Sequence, residues 1–157
     1  MAKSYYKTKN YQSQRSIGYL LRRSGKLITA HIEGLFIGQD ITALQWIILM
    51  NLRAGIVKTA AEISQVICHD SGALTRMLDQ LEQDGLITRA RSKQDRRVVE
   101  LAITPKGHKT TELFLPKVVN LYNYLLQDFS KEEADTLINL LMRFNTKLSN
   151  PLKLKAA

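Results

Sequence analysis

One stretch constrains the fold more than any other, residues 59–107, TAAEISQVICHDSGALTRMLDQLEQDGLITRARSKQDRRVVELAITPKG. Its hydrophobic period is helical in the first half and strand-like in the second. Thr59 and Glu62 stand at the Ser/Thr-x-x-Glu spacing, in which hydroxyl and carboxylate each satisfy an orphan N–H at a helix start. A helix therefore begins near Ala60, with Ala61, Ile63 and Val66 to Cys68 as its apolar side. It ends near His69, where Asp70 and Ser71 are residue types that cap a following helix. In that second helix Leu74, Leu78 and Leu81 fall at i, i+4 and i+7 with Met77 beside them, and so form the buried stripe. Ser71, Thr75, Arg76 and Asp79 then point elsewhere, and a face of short polar residues with one arginine suits the edges of DNA bases. Gly85 fits the position just past the helix end.

Beyond Gly85 the period becomes 2, which predicts strands over 86–91 and 97–103. Val99, Leu101 and Ile103 share one face of the second strand; Val98, Glu100 and Ala102 share the other. The turn between the strands is 92–96. Arg89, Arg91, Lys93, Arg96 and Arg97 outnumber Asp95 and Glu100, so the hairpin is expected to project as a basic wing. Thr104 and Pro105 fit an N-cap followed by proline at the first helical position. Gly72 and Ala73 are small enough to let the helix N-terminus approach a duplex, where its N–H groups meet phosphate. At the hairpin tip Arg96 is placed to enter a minor groove and sense its width and potential. Arg91, Lys93 and Arg97 are assigned to phosphates, which give affinity without sequence information.

The stretch resembles the MarR/SlyA family of bacterial winged-helix transcription regulators. The resemblance rests on Leu74-Thr75-Arg76-Met77-Leu78-Asp79-Gln80-Leu81-Glu82, Asp84-Gly85-Leu86-Ile87-Thr88-Arg89, Asp95-Arg96-Arg97 and Leu101-Ala102-Ile103-Thr104-Pro105-Lys106-Gly107. It covers roughly a third of the chain at motif level, and the order and spacing of the pieces carry it. It implies a dimer, an Asp-Arg pair in the wing that works in the minor groove, and Asp95 as a partner that orients a nearby arginine. Members of the family also bind a small aromatic or anionic effector between dimer helices and winged helix, for which Arg22, Arg23, His31 and Trp46 are the candidates here. Some members sense peroxides through a cysteine in their first helix; the single cysteine of this chain, Cys68, lies elsewhere.

The rest of the chain supplies helices. Residues 1–14 are polar and basic, with three tyrosines and no acidic residue, and are expected to form a mobile arm. From Arg15 to Gly34, Ile17, Leu20, Leu21, Leu27, Ile28 and Ile32 recur at three and four positions, the pattern of an amphipathic helix. Asp40-Ile41-Thr42 starts another, with Leu44, Ile47, Ile48, Met50 to Leu52 and Trp46 buried. After Gly107 a helix is expected to about Asp128, kinked at Pro116 and apolar almost all round from Leu113 to Phe129. Ser130 and Glu133 repeat the capping-box spacing before a last helix striped by Leu137, Leu140, Leu141, Phe144 and Leu148, which Pro151 ends. These faces exceed what one small domain needs, and a two-fold dimer buries them while presenting two wings to an inverted repeat.

A chain of 157 residues can bury about 70% of its unfolded surface. Its net charge of +9 points to an acidic partner: nucleic acid first, a membrane surface second, an acidic protein third. No apolar run approaches a membrane span and no secretory signal is apparent, so a cytoplasmic protein is expected, nucleoid-associated when bound to DNA. Cys68-His69-Asp70-Ser71 has the residue types of a catalytic set, but neighbours in sequence do not converge as a triad must. His31, His69 and His108 make no i, i+4 ligand pair, so neither metal nor cofactor is expected. The expected fold class is mainly α with a small β-hairpin wing. Residues 39–107 form a winged helix-turn-helix, and 15–38 with 108–150 a helical dimerisation region. The expected function is a homodimeric repressor of inverted-repeat double-stranded DNA and not an enzyme. The competing readings are a winged helix that docks an acidic protein and a sequence-blind architectural DNA binder.

Overall fold

A computed structural model describes residues 5–67 and 71–149 of the chain. Cys68, His69, Asp70 and Pro151, on which the expected turn, cap and helix end fall, lie outside the described residues, as does the side chain of Ser71. The elements are α1 (Ile17–Gly34), α2 (Ala43–Arg53), α3 (Ala60–Ile67), α4 (Ser71–Gln83), β1 (Ile87–Arg91), β2 (Val99–Ile103), α5 (Pro105–Leu125) and α6 (Lys131–Ser149). The chain divides into two compact units, 1–118 and 119–157.

Local chemistry sets most helix starts. Glu62 accepts from the N–H groups of Lys58 (2.7 Å) and Thr59 (2.9 Å), while the Thr59 hydroxyl accepts from the Glu62 N–H. Thr42 and Gln45 form a second capping box at α2, and Ser130 and Glu133 a third at α6. Thr104 caps α5 by accepting from the Gly107 N–H at 3.0 Å, with Pro105 at the first helical position. Each arrangement satisfies donors that a helix start leaves orphaned. In place of a tail without structure, residues from Tyr5 onward make two 3-10 turns, Thr8–Asn10 and Ser13–Arg15. Tyr6 packs edge-on between Tyr5 and Tyr11, and its hydroxyl accepts from the N–H of Ile17 at 2.8 Å.

The core of the first unit is built on α2, where Ile48 and Leu49 are fully buried. Around them gather Val57, Ile63 of α3, Leu74, Leu78 and Leu81 of α4, Ile87, Leu101 and Phe114. Of the described residues in the face expected for α3, Ile63 is buried and Ile67 half-buried, whereas Ala61 and Val66 are exposed. Trp46 is buried against Phe36, which stacks on Phe114 at 4.6 Å between centroids. Its indole N–H donates to the Thr111 carbonyl. Thr111 is completely buried; its hydroxyl donates to the His108 carbonyl and accepts from Arg53 at 2.7 Å. Arg53 also pairs with Glu112 at 3.1 Å.

Two features at α5 differ from expectation or exceed it. The helix runs through Pro116 as one element and ends at Leu125, short of the expected Asp128. Gly107 is buried because α5 meets the end of the winged helix there with no room for a side chain. A Cβ would collide with the Leu86 carbonyl oxygen and approach Ile103 Cγ1 to 2.7 Å.

Apolar faces remain open in both units. In the first, only Ile32 of the α1 stripe is buried, while Ile17, Leu20 and Leu27 are exposed. In the second, α6 buries no residue, and Leu137, Ile138, Leu140, Met142 and Leu148 are all exposed.

Candidate nucleic-acid interface

The helix expected to face DNA is α4 (Ser71–Gln83). Its C-terminal end is anchored. Gly85 takes φ +67°, a conformation that suits a residue without Cβ, so that its N–H reaches Glu82 O and that of Leu86 reaches Leu81 O, each at 2.9 Å. The start of α5 then grips the three carbonyls that follow. Lys106 Nζ donates to Asp84 O (2.7 Å), the Thr104 hydroxyl to Gly85 O (2.7 Å), and the Thr104 N–H to Leu86 O (3.0 Å). With Leu74, Leu78 and Leu81 buried, Gly72, Ala73, Thr75 and Arg76 are left exposed near the other end.

The wing is a two-stranded antiparallel sheet in the register Ile87↔Ile103, Arg89↔Leu101, Arg91↔Val99. Opposed residues share a face, so Arg89 lies on the same side as the buried Ile87 and Leu101. The expectation that the wing projects all its arginines is corrected here. Arg89 turns back onto α4, with Nη2 2.7 Å from Asp79 Oδ1 and Nη1 3.4 Å from Glu82 Oε2. Asp79 is thereby a partner of the wing rather than part of a base-reading face. At the tip, Ser92 N–H donates to Val98 O, Val98 N–H to Asp95 O, and Arg97 N–H to Asp95 Oδ1 at 2.9 Å. Asp95 thus orders the tip's own backbone; among the described residues it makes no ion pair with an arginine. Arg91, Lys93, Arg96 and Arg97 are exposed. A short polar helix face beside an exposed basic hairpin has the two parts that read base edges and hold phosphates.

A model of the MarR family matches residues 41–99, from the start of α2 into β2. The multiple antibiotic resistance protein MarR of Salmonella typhimurium is 35% identical over 130 residues, covering 82% of this chain and 88% of that protein. This chain belongs to the MarR family. The organic hydroperoxide resistance transcriptional regulator of Bacillus subtilis is 32% identical over 127 residues, covering 81% of this chain and 83% of that protein. The crystal structure of a mutant MarR from Escherichia coli complexed with operator DNA aligns with a TM-score of 0.68 at 28% identity, over 82% of this chain and 92% of that one. The winged-helix fold is that of MarR, and the chain is a DNA-binding transcription regulator and not an enzyme.

In this MarR-family chain the four effector candidates have different environments. Arg22, Arg23 and His31 are exposed along α1, whereas Trp46 is enclosed in the core with its indole N–H committed to Thr111. A hollow of about 390 Å³ between α1, α2 and α3 is lined by Thr29, Ile32, Glu33, Leu44, Ile47 and Val66 among others, and by none of the four. A cleft of about 590 Å³ lies where the end of α4 meets α5, with Asp40, Asp84, Lys106 and Phe114 in its wall. Among the described residues no group of three or more His, Cys, Asp or Glu could hold a metal ion, and no helix is long and apolar enough to cross a membrane.

Residue-type reasoning missed Arg89, Gly107 and Thr111. A signal for Arg89 was present, because its parity in the strand matches Ile87 rather than Thr88. For Gly107 and Thr111 none was, since both are set by contacts between elements distant in sequence.

Proposed function

We propose that this regulator acts in the cytoplasm as a homodimer on inverted-repeat operators in double-stranded DNA, and represses by occluding the promoter. The observation that carries this reading is the exposed face of α4, Gly72, Ala73, Thr75 and Arg76, beside the exposed tip arginines of the wing. Arg76 and Thr75, with Ser71 at the helix start, read base edges in the major groove. The N–H groups around Gly72 and Ala73 meet phosphate, Arg96 enters the minor groove, and Arg91, Lys93 and Arg97 bind phosphates. The exposed apolar faces of α1 and α6 support a second copy as the partner, and two-fold pairing matches a two-fold DNA site. A small aromatic or anionic effector acts through its differential affinity for dimers with well-spaced and mis-spaced recognition helices, with the exposed Arg22, Arg23 and His31 within its reach.

The test is selection of bound fragments from a random duplex library at near-physiological salt. Enrichment of one inverted repeat with half-sites about one helical turn apart is expected. On that site Arg76→Ala should cost about 1–3 kcal/mol and relax the sequence preference. Salt-sensitive recovery without an enriched sequence would instead indicate an architectural binder, and no recovery a protein-docking module.

A further inference from the structure

We propose that Arg89 is a positioning residue for DNA recognition: it locks the wing to the recognition helix through Asp79 and Glu82, so that both reach the duplex in one fixed relation. The inference rests on the DNA-binding reading above but concerns a residue to which no DNA contact is assigned. Three observations carry it. Arg89 is the one wing arginine held in ion pairs among the described residues, whereas Arg91, Lys93, Arg96 and Arg97 carry their charge without one. Its side chain lies on the inner face of β1 with Ile87 and Leu101, lines a hollow together with Thr75, Leu78 and Val99, and is 28% exposed. Asp79 and Glu82 are three residues apart on α4 and so share the helix face that meets the sheet. One planar guanidinium therefore bridges two points of the recognition helix to the middle of the strand that leads to the tip, a geometry a lysine ammonium cannot reproduce.

The chemistry of the pair argues against a mere accident of surface charge. Two carboxylates on a helix that approaches phosphates are a liability for binding, and the simplest DNA binder would do without them. Their value lies in what they hold. An orientation lock and a charge correction make opposite predictions for one substitution. Removing Asp79 makes the interface more positive, so electrostatics alone predicts tighter binding. Loss of the lock lets wing and helix move independently, which adds an ordering cost to each encounter with DNA.

The experiment measures binding of the full-length Asp79→Ala protein to its selected site at fixed salt, beside Arg89→Ala, Arg89→Lys and the double variant. A pair of this exposure limits the effect to about three- to fivefold. Asp79→Ala is expected to bind that much more weakly despite its added positive charge. Arg89→Lys should fall between wild type and Arg89→Ala, and the double variant should be no worse than the weaker single. Hydrogen exchange of the DNA-free protein supplies an independent readout, with faster exchange expected through 87–103 in Asp79→Ala. Equal or tighter binding by Asp79→Ala, additive losses in the double variant, or unchanged exchange in the wing would each overturn the proposal. If wild-type protein selects no DNA sequence, the regulator reading fails on its own, and the exchange measurement still decides whether Arg89 holds the wing.

Discussion

Replacing Gly107 by alanine is the sharpest test of how the winged helix is joined to α5. In an ordinary helix interior Gly→Ala gains about 1 kcal/mol through propensity. Here the added Cβ runs into the Leu86 carbonyl oxygen and comes to 2.7 Å of Ile103 Cγ1. The carbonyl is not free to retreat, because it accepts from the N–H of Thr104, the residue that caps the same helix. Overpacking against backbone lies near the upper end of the usual range, about 3 kcal/mol. The net expectation is a loss of about 2 kcal/mol, or a fall of about 4–8 °C in the thermal midpoint for a chain of this length. Wild type and variant should be compared by calorimetry at equal protein concentration, since association shifts apparent stability. Because the obstacle is backbone, adding Ile103→Ala should not restore the midpoint. A midpoint equal to or above that of wild type would refute the close approach of α5 to Leu86.

Lys93→Ala and Arg97→Ala should weaken binding equally across DNA sequences, and each should lower the slope of log affinity against log salt by about 1, as read from titrations at several salt concentrations. The N–H groups of Lys58 and Thr59 hold the Glu62 carboxyl below the usual carboxylate range. With the folded value below the unfolded one, its capping contribution is full above the unfolded pKa and disappears as pH falls through the folded one. Glu62→Gln should therefore flatten the acid side of the stability profile, as measured by denaturant unfolding at a series of pH values. Leu137→Glu with Leu140→Glu should shift the protein towards monomer in sedimentation, because both side chains lie on the exposed face of α6.

What was legible in advance was chemistry carried by residues three or four apart. Thr59 with Glu62 and Ser130 with Glu133 announce their capping boxes, Gly85 announces the end of α4, and the alternation after it announces the hairpin. Leu74, Leu78 and Leu81 sorted buried from exposed on α4 correctly, which is why its exposed residues could be named. What failed depended on partners far along the chain. Arg89 was grouped with the other arginines by composition, although the period of the strand turns it inward to Asp79. Asp95, expected to orient a nearby arginine, meets Arg97 through the backbone, because a carboxylate in a tight tip satisfies the N–H two residues on. Trp46 is buried as its place in the α2 pattern predicts, but its indole bond to Thr111 joins residues distant in sequence and has no signal in that pattern. The tyrosines of the arm gave no period, yet their rings associate and one hydroxyl serves the start of α1.

The anchoring of α4 through the turn that follows it has a consequence for how such a regulator can change its target. The hydrogen bonds that fix the helix to α5 end on the carbonyls of Asp84, Gly85 and Leu86, and none of them uses a side chain of α4 itself. The exposed residues near its other end, Gly72, Ala73, Thr75 and Arg76, lie more than two helical turns from that joint. Under the proposed reading, substitutions there change the face offered to DNA and leave those carbonyl hydrogen bonds in place. Specificity is thus free to drift, in evolution or by design, on a support that stays fixed.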